Sequence, residues 1–356
     1  MLKKNKQKVV VAMSGGVDSS VAAVLLKKQG YDVIGVFMQF WFPAGESYGE
    51  NRCCSLKSWQ EAQAVARIIG IPIHKVNFGR QFKKIIVDEF LRQYRLGQTP
   101  NPCVACNKFI KFDLLLKYAQ TVFDADFLAT GHYLSIKKEP DSYSLYRAKD
   151  KNKDQTYFLY NLRQKQLKHL LFPLGDYAKN KVRSLAKQFK FSIHDKPDSQ
   201  EICFVGKSHY DFLKKYLKLK PGKIIDESGK VLGIHHGLAL YTIGQRSGLG
   251  LSGGPWYVAG WNRKRNLLLV TKKQKRSAIY KKELACRQVN WLAGTAPKSV
   301  KCQAQIRYHG QPADCLVETS GQSVRVKFTK DQRAIMPGQS VVFYQRDKLL
   351  GGGIIK

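Results

Sequence analysis

A turn rich in glycine and serine, Met13-Ser14-Gly15-Gly16-Val17-Asp18-Ser19-Ser20, directly follows an apolar run and opens a segment of helical spacing. Glycines at such a turn let backbone N–H groups approach phosphate oxygens, and the hydroxyls of Ser14, Ser19 and Ser20 add donors. The helix behind the turn points its positive end at the same spot. Asp18 has the carboxylate to hold a magnesium ion that bridges phosphates. No lysine stands in the turn, so it is not the phosphate loop with a Gly-Lys-Ser/Thr ending. Thiols form the second chemical group. Eight cysteines lie at 53, 54, 103, 106, 203, 286, 302 and 315. Cys103 and Cys106 belong to the Pro-rich stretch Gln98 to Asn107, which opens onto a basic amphipathic helix. A thiol just before a helix start, with Lys108 and Lys111 beside it, is expected to have a lowered pKa. Cys203 follows much later, within Pro197 to Phe204. The last three cysteines sit in strand-like text and read as small buried hydrophobes.

These groups need a scaffold, and the first half of the chain supplies an alternating one. Lys8 to Ala12, Val33 to Met38, His74 to Val76 and Phe127 to Thr130 read as strands. Ser19 to Gln29, Trp59 to Ile69, Phe82 to Tyr94 and Phe109 to Ala119 read as helices, two of them closed by Gly30 and Gly70. This rhythm implies a parallel sheet with helices on both faces, with ligands bound outside the carboxyl ends of the strands. From about residue 214 the text becomes all-β. Leu238 to Ile243, Trp256 to Ala259, Leu267 to Thr271, Lys301 to Arg307, Val324 to Phe328 and Val341 to Tyr344 are the strand-like runs. The predicted organisation is an α/β unit over 1–213, a small β-rich domain over 214–281 and a β-barrel over 282–356.

The chain carries 61 basic and 26 acidic residues among 356, a formal charge of +35. Such an excess points to a polyanionic partner, nucleic acid before others. The Lys-rich stretches 149 to 153 and 263 to 276 are candidate phosphate contacts, which position RNA without reading its sequence. No apolar run approaches the length of a membrane span, and Met1 to Lys8 leaves no room for the apolar core of a signal peptide. The expected location is therefore the cytoplasm, with reduced cysteines.

The pattern Ser-Gly-Gly-x-Asp-Ser-Ser after a first strand resembles the pyrophosphatase loop of the N-type ATP pyrophosphatases, which split ATP into AMP and pyrophosphate and leave a substrate adenylated. Further along stand Gly97 to Phe112, Ala129-Thr130-Gly131-His132-Tyr133, Asp154 to Leu159 and Ser199 to Cys203. Tyr241 to Arg246 with Gly248-Leu249-Gly250, Arg307-Tyr308, Pro337-Gly338-Gln339 and Gly351-Gly352-Gly353 complete the series. In order and spacing these look like successive signatures of the tRNA-specific 2-thiouridylases. The resemblance runs from about residue 8 to the C-terminus. It implies an adenine-nucleotide α-hydrolase-like N-terminal domain, and thiolation of the wobble uridine of tRNA with ATP and magnesium. By the same resemblance Ala12, Met13, Ser14, Gly15, Gly16, Val17, Asp18, Ser19, Met38 and Gly131 contact ATP. Asn101, Pro102 and Cys103 meet the target base, and Lys153, Asp154, Gln155, Arg307 and Tyr308 touch the tRNA. Cys106 is the nucleophile, while Cys203 carries a persulfide and closes a transient disulfide with Cys106. Implied partners are tRNAs for Lys, Glu and Gln and a cysteine desulfurase or sulfur-relay protein.

Two departures from the family pattern matter. Its motif around the nucleophile is Asn-Pro-Asp-x-x-Cys-Asn, so Cys103 takes the place of the usual Asp, a residue suspected of proton transfer with the uracil. Members often have Asp where Ser58 and Glu61 stand, in the segment that begins at Cys53-Cys54. Alternatives for the residues themselves remain. Cys103, Cys106 and Cys203 are enough ligands for an iron–sulfur cluster with one open iron. His132 reads either as a base or as a hydrogen-bonded structural residue, and Tyr157, Phe158 and Tyr308 as stacking platforms or core. Another adenylating enzyme, such as an amide-forming synthetase, or an RNA-binding module with a degenerate loop, are the rival functions.

Overall fold

A computed structural model describes residues 6–43, 55–198, 202–206, 208–272, 279–321 and 323–356. Strand β1 (Lys8–Ala12) is the middle of a parallel sheet. Its residues alternate between two cores. Val10 and Ala12 pack into the apolar cluster on one face, and Val9 and Val11 into that on the other. An uninterrupted apolar run is what a strand covered on both faces requires. Helix α1 (Val17–Lys28) leads to β2 (Asp32–Gln39), and α2 (Leu56–Ile69) to β3 (Ile73–Asn77). The Ser55 hydroxyl caps α2 by accepting from the Ser58 N–H, and Gly70 ends it at φ +70°. A continuous helix α3 (79–95) contains a π-helical stretch, Lys83–Val87, and helix α4 (102–123) contains another, Cys106–Leu115. Strands β4 (Phe127–Ala129), β5 (Leu134–Lys138), β6 (Tyr143–Arg147) and β7 (Leu170–Leu171) follow. The five-stranded sheet has the order β3-β2-β1-β4-β7, all parallel. Helices α5 (Lys179–Gln188) and α6 (His209–Tyr216) close this half.

The second half holds two further sheets. Strands β8 (Gly222–Ile225), β9 (Val231–His235), β10 (Tyr257–Asn262) and β11 (Leu267–Thr271) form one in the order β10-β11-β8-β9. The predicted strand Leu238 to Ile243 is absent from it. Leu238–Leu240 forms a 3-10 turn whose N–H groups bond back to Gly237 and Leu238, while Tyr241 packs into the domain's core. Burial needed that apolar run, but strand pairing did not, and periodicity alone does not separate the two.

Strands β12 (Tyr280–Trp291), β13 (Ser299–Gln305), β14 (Ala313–Ser320), β15 (Ser323–Arg333), β16 (Ser340–Gln345) and β17 (Lys348–Ile355) close into a barrel, with β12 paired to both β15 and β17. The hairpin β5–β6, from the α/β half, extends this barrel sheet, because Leu145 and Tyr146 pair with Leu349 and Lys348. Tyr157 and Tyr160 reach in from the α/β half and bond the Ser340 carbonyl and hydroxyl at 3.0 and 3.2 Å. Barrel residues Val342, Tyr344 and Leu349 belong to the same buried cluster as Val10 and Cys106. Among the described residues no helix is long and apolar enough to cross a membrane.

Candidate active site

The glycine-serine turn lies at the carboxyl end of β1, where the strand order reverses between β2 and β4. Ala12 ends β1, Met13 donates its N–H to the Val36 carbonyl at 2.8 Å, and Met38 stands near the end of β2. Gly15 adopts φ +71°, and a Cβ there would lie 2.2 Å from the Ser58 carbonyl oxygen. Gly131 follows β4, and a Cβ on it would meet the first turn of α1 at 2.7 Å from the Ser19 nitrogen. Both positions therefore demand the absence of a side chain. The hydroxyls of Ser19 and Ser20 donate to the Gly16 carbonyl at 3.1 and 2.9 Å, and the Ser14 N–H donates to Ser19 Oγ at 3.2 Å. Val17 opens α1 and is buried. The result is a fixed cradle at a helix N-terminus, the form that binds phosphate oxygens.

Cations surround this cradle although none is in it. Lys179 Nζ donates to both Asp18 carboxylate oxygens, at 2.7 and 2.8 Å, and pairs with Asp198 at 2.7 Å. Lys179 is itself buried, while the Asp18 side chain is about a third exposed. The Tyr133 hydroxyl donates to Asp18 at 2.7 Å, and burial with the Asp18 charge pushes its pKa up. Asp198 also receives Lys153 at 2.7 Å and Arg183 at 3.2 Å. Burial opposes its ionisation, but the bonds from Lys153 and Lys179 outweigh it and hold the carboxyl below its usual range. Lys196 bonds the Gly15 carbonyl at 3.2 Å, the Ser58 hydroxyl at 3.3 Å and the Glu61 carboxylate. Sequence reasoning passed over Lys179, Arg183 and Lys196, since nothing local marks them among 61 basic residues.

The thiols come from other elements. Asn101 caps α4 by accepting from the Val104 N–H at 3.3 Å, with Pro102 at the first helical position. Cys103 is therefore inside the first turn and exposed, and Cys106 lies deeper and buried. Neither stands before the helix start as expected, and the helix dipole, which fades beyond one turn, favours Cys103 over Cys106. Cys203 packs against the apolar cluster that contains Cys106. Among the described residues no group of three or more His, Cys, Asp or Glu side chains is placed to hold a metal ion. Cys53 and Cys54, and Ser199 to Glu201, lie outside the described residues.

The barrel grips the loop ahead of these cysteines. Thr99 N–H donates to the Pro337 carbonyl at 2.8 Å, and Gln339 Nε2 donates to the Thr99 carbonyl at 3.0 Å. Arg287 reaches Gln98 at 3.1 Å, and a Cβ on Gly338 would crowd Gln98 at 2.9 Å. The Pro-Gly-Gln signature in the barrel is thereby accounted for.

The residues expected at the tRNA divide. Lys153 is spent on Asp198, and Gln155 accepts from the Tyr133 N–H at 3.0 Å. Asp154 is buried and holds Arg147, the Thr156 hydroxyl and the Ala148 N–H, so it braces the turn from inside. Arg307 donates to the carbonyls of Arg333 and Ala334. Tyr308 packs at 4.4 Å, tilted by 50°, against Phe158, which is only partly buried, whereas Tyr157 is core. Burial, then the charges of Asp154 and Cys103, push the Tyr308 hydroxyl up to about 12. His132 is buried and bonded to the Thr130 hydroxyl at 2.7 Å. Burial, with Lys111 nearby, drives its pKa well down.

Family profiles described as a tRNA methyl transferase HUP domain, a tRNA methyl transferase PRC-barrel domain and an aminomethyltransferase beta-barrel domain match residues 7–207, 210–272 and 281–355. A protein of Carboxydothermus hydrogenoformans named tRNA-specific 2-thiouridylase MnmA is 47% identical, covering 99% of this chain and 98% of its own. Proteins of the same name from Clostridium kluyveri and Francisella philomiragia are 48% and 45% identical, each over 98% of this chain and 99% of theirs. The chain belongs to the tRNA-specific 2-thiouridylases. As a 2-thiouridylase it carries the parallel-sheet domain, the central barrel-type domain and the closed six-stranded barrel in that order.

Proposed function

We propose that this protein catalyses ATP-dependent 2-thiolation of tRNA at the wobble uridine, position 34, releasing AMP and pyrophosphate. One observation carries the reading: Cys106 and Cys203, far apart in sequence, pack against one apolar cluster in a chain that also keeps the phosphate cradle intact. An amide-forming adenylating enzyme has no use for the two thiols, and a degenerate RNA-binding module would not keep Gly15, Gly16, Asp18 and Ser19.

When bound, ATP would supply the adenylyl group that makes the uracil 2-oxygen a leaving group, and Asp18 would help to hold the magnesium ion that neutralises its phosphates. The backbone N–H groups of 15–19 and the N-terminus of α1 receive the phosphates, and Lys179, held on Asp18 and Asp198, stabilises negative charge developing on the departing pyrophosphate. Asn101 and Pro102 border the base, and the ring of Tyr308 offers it an aromatic face. The terminal sulfur of a Cys203 persulfide attacks C2, and AMP departs with the oxygen. The Cys106 thiolate then attacks Cys203 Sγ, which frees 2-thiouridine and leaves a Cys106–Cys203 disulfide for a dithiol to reduce. No step is routed through an iron–sulfur cluster. The same reading takes tRNAs for Lys, Glu and Gln as substrates, a cysteine desulfurase or relay protein as sulfur donor, and the cytoplasm as location.

The test is mass spectrometry of nucleosides from unmodified tRNA incubated with the protein, ATP, magnesium, a desulfurase and cysteine. 2-Thiouridine is expected from the wild type and from neither Cys106→Ala nor Cys203→Ala. A different thiolated base overturns the substrate, and product from either variant overturns the assigned thiol roles.

A further inference from the structure

A cavity of about 230 Å³ lies away from the nucleotide cradle, where the α/β half meets the central domain. Arg95 at the end of α3, Lys218 and Lys220 after α6, and Arg263 in the turn between β10 and β11 line it together with Tyr94. Among the described residues no acidic one lines it. None of the four cationic heads has a carboxylate partner among the described residues. Four cationic residues lining one space, with no carboxylate partner among the described residues, raise the local potential and favour an anion there.

The walls are held in place by contacts that do not consume those charges. Asn266 Nδ2 donates to the Pro221 carbonyl at 2.7 Å, which fixes the backbone beside Lys220. Arg263 spends one guanidinium nitrogen on the Arg95 carbonyl. Gly97, which also lines the cavity, has φ +69°, and a Cβ there would stand 3.1 Å from both Arg263 Nη1 and Trp261 Nε1. From Gly97 the chain runs straight into the loop that the barrel grips and on to Asn101. Four residues of extended chain span at most about 14 Å, so an anion held here lies beside the loop assigned to the target base.

We propose that this cavity is a phosphate-backbone site for the tRNA, taking a phosphate a few nucleotides from the base being modified. The inference rests on the reading of tRNA as substrate and adds to it a site outside the residues 153–155 and 307–308. The contact is electrostatic and not sequence-reading, so it sets register and contributes counterion release.

The test compares Lys218→Ala/Lys220→Ala with a control pair, Lys281→Ala/Lys282→Ala, which is exposed on β12 and does not line the cavity. Binding of unmodified tRNA is followed across salt concentration, with binding of ATP and magnesium as the check of folding. The cavity pair is expected to lower the slope of log affinity against log salt by about 1 to 2. The control pair should change it by less than half as much, and ATP binding should be equal in all three proteins. In ethylation interference, one or two anticodon-arm phosphates that matter to the wild type should cease to matter to the cavity pair. A cavity pair that matches wild type, or that loses no more than the control pair, overturns the site while leaving tRNA as substrate. A flat salt response in the wild type itself would overturn both.

Discussion

Lys179 resolves what a phosphate loop without a lysine does for positive charge. Its ammonium comes from α5, far along the chain, and is parked on Asp18 and Asp198. Lys179→Met is expected to slow pyrophosphate release about 10²- to 10³-fold, as loss of a preorganised donor does, while tRNA affinity stays within about two-fold. Unchanged release in a tRNA-dependent pyrophosphate assay would make Lys179 a purely structural ion-pair partner. His132 makes a prediction of different kind. Its folded pKa lies well below the ordinary value. Below about pH 6.5 the unfolded chain takes up a proton that the folded one refuses, so stability declines on acidification by up to about 1.4 kcal/mol per pH unit. The decline ends only when pH reaches the folded value. Thermal melts between pH 7.5 and 5 should therefore fall less steeply in His132→Gln than in the wild type, and equal slopes would show that His132 is not the titrating group.

At the scale of elements, helix α4 and the loop ahead of it show how the segment carrying Cys103 and Cys106 is held by a distant part of the chain. Asn101 and Pro102 start the helix, but the carbonyl and N–H of Thr99 are tied to Gln339 and Pro337 in the barrel. Gln339→Ala removes one hydrogen bond, worth about 1 kcal/mol, and is expected to lower the thiolation rate about five-fold with ATP affinity unchanged. A rate equal to wild type would mean that the Thr99–Pro337 bond suffices. The turn after β1 is less forgiving. Gly15→Ala meets both a left-handed φ and the Ser58 carbonyl, and should cost about 1–3 kcal/mol in urea unfolding and abolish ATP binding. A variant of wild-type stability would show that the α2 start can move aside.

Across the whole molecule, the barrel is a wall of the catalytic half and not an appendage. The hairpin β5–β6 extends the barrel sheet, and Tyr157 and Tyr160 are buried against Ser340. The two should unfold in one calorimetric transition, and an early barrel transition that leaves ATP binding intact would refute the shared core. The charge of +35 is likewise a property of the molecule. Part of it is neutralised at Asp18, Asp198 and Glu61, and part lines the junction of the first two domains without a carboxylate partner among the described residues.

The sequence by itself determined the chemistry and the chain's kinship. The turn at 13–20, the strand-helix alternation around it and the cysteines at 103, 106 and 203 were legible because each rests on local rules: small residues for a phosphate, period for an element, spacing for a motif. The strand of Val9 to Val11 and the caps at Ser55, Gly70 and Asn101 are of the same kind. Only the tertiary structure decided which cations serve the cradle, that Asp154 faces inward, that Leu238–Leu240 is a turn, and that a hairpin of the first half joins the barrel of the last. Those facts depend on residues up to about two hundred positions apart, as Tyr157 and Ser340 are. Nothing in a local pattern distinguishes one buried lysine from the other basic residues, because its partner is fixed by packing and not by its own surroundings in the chain.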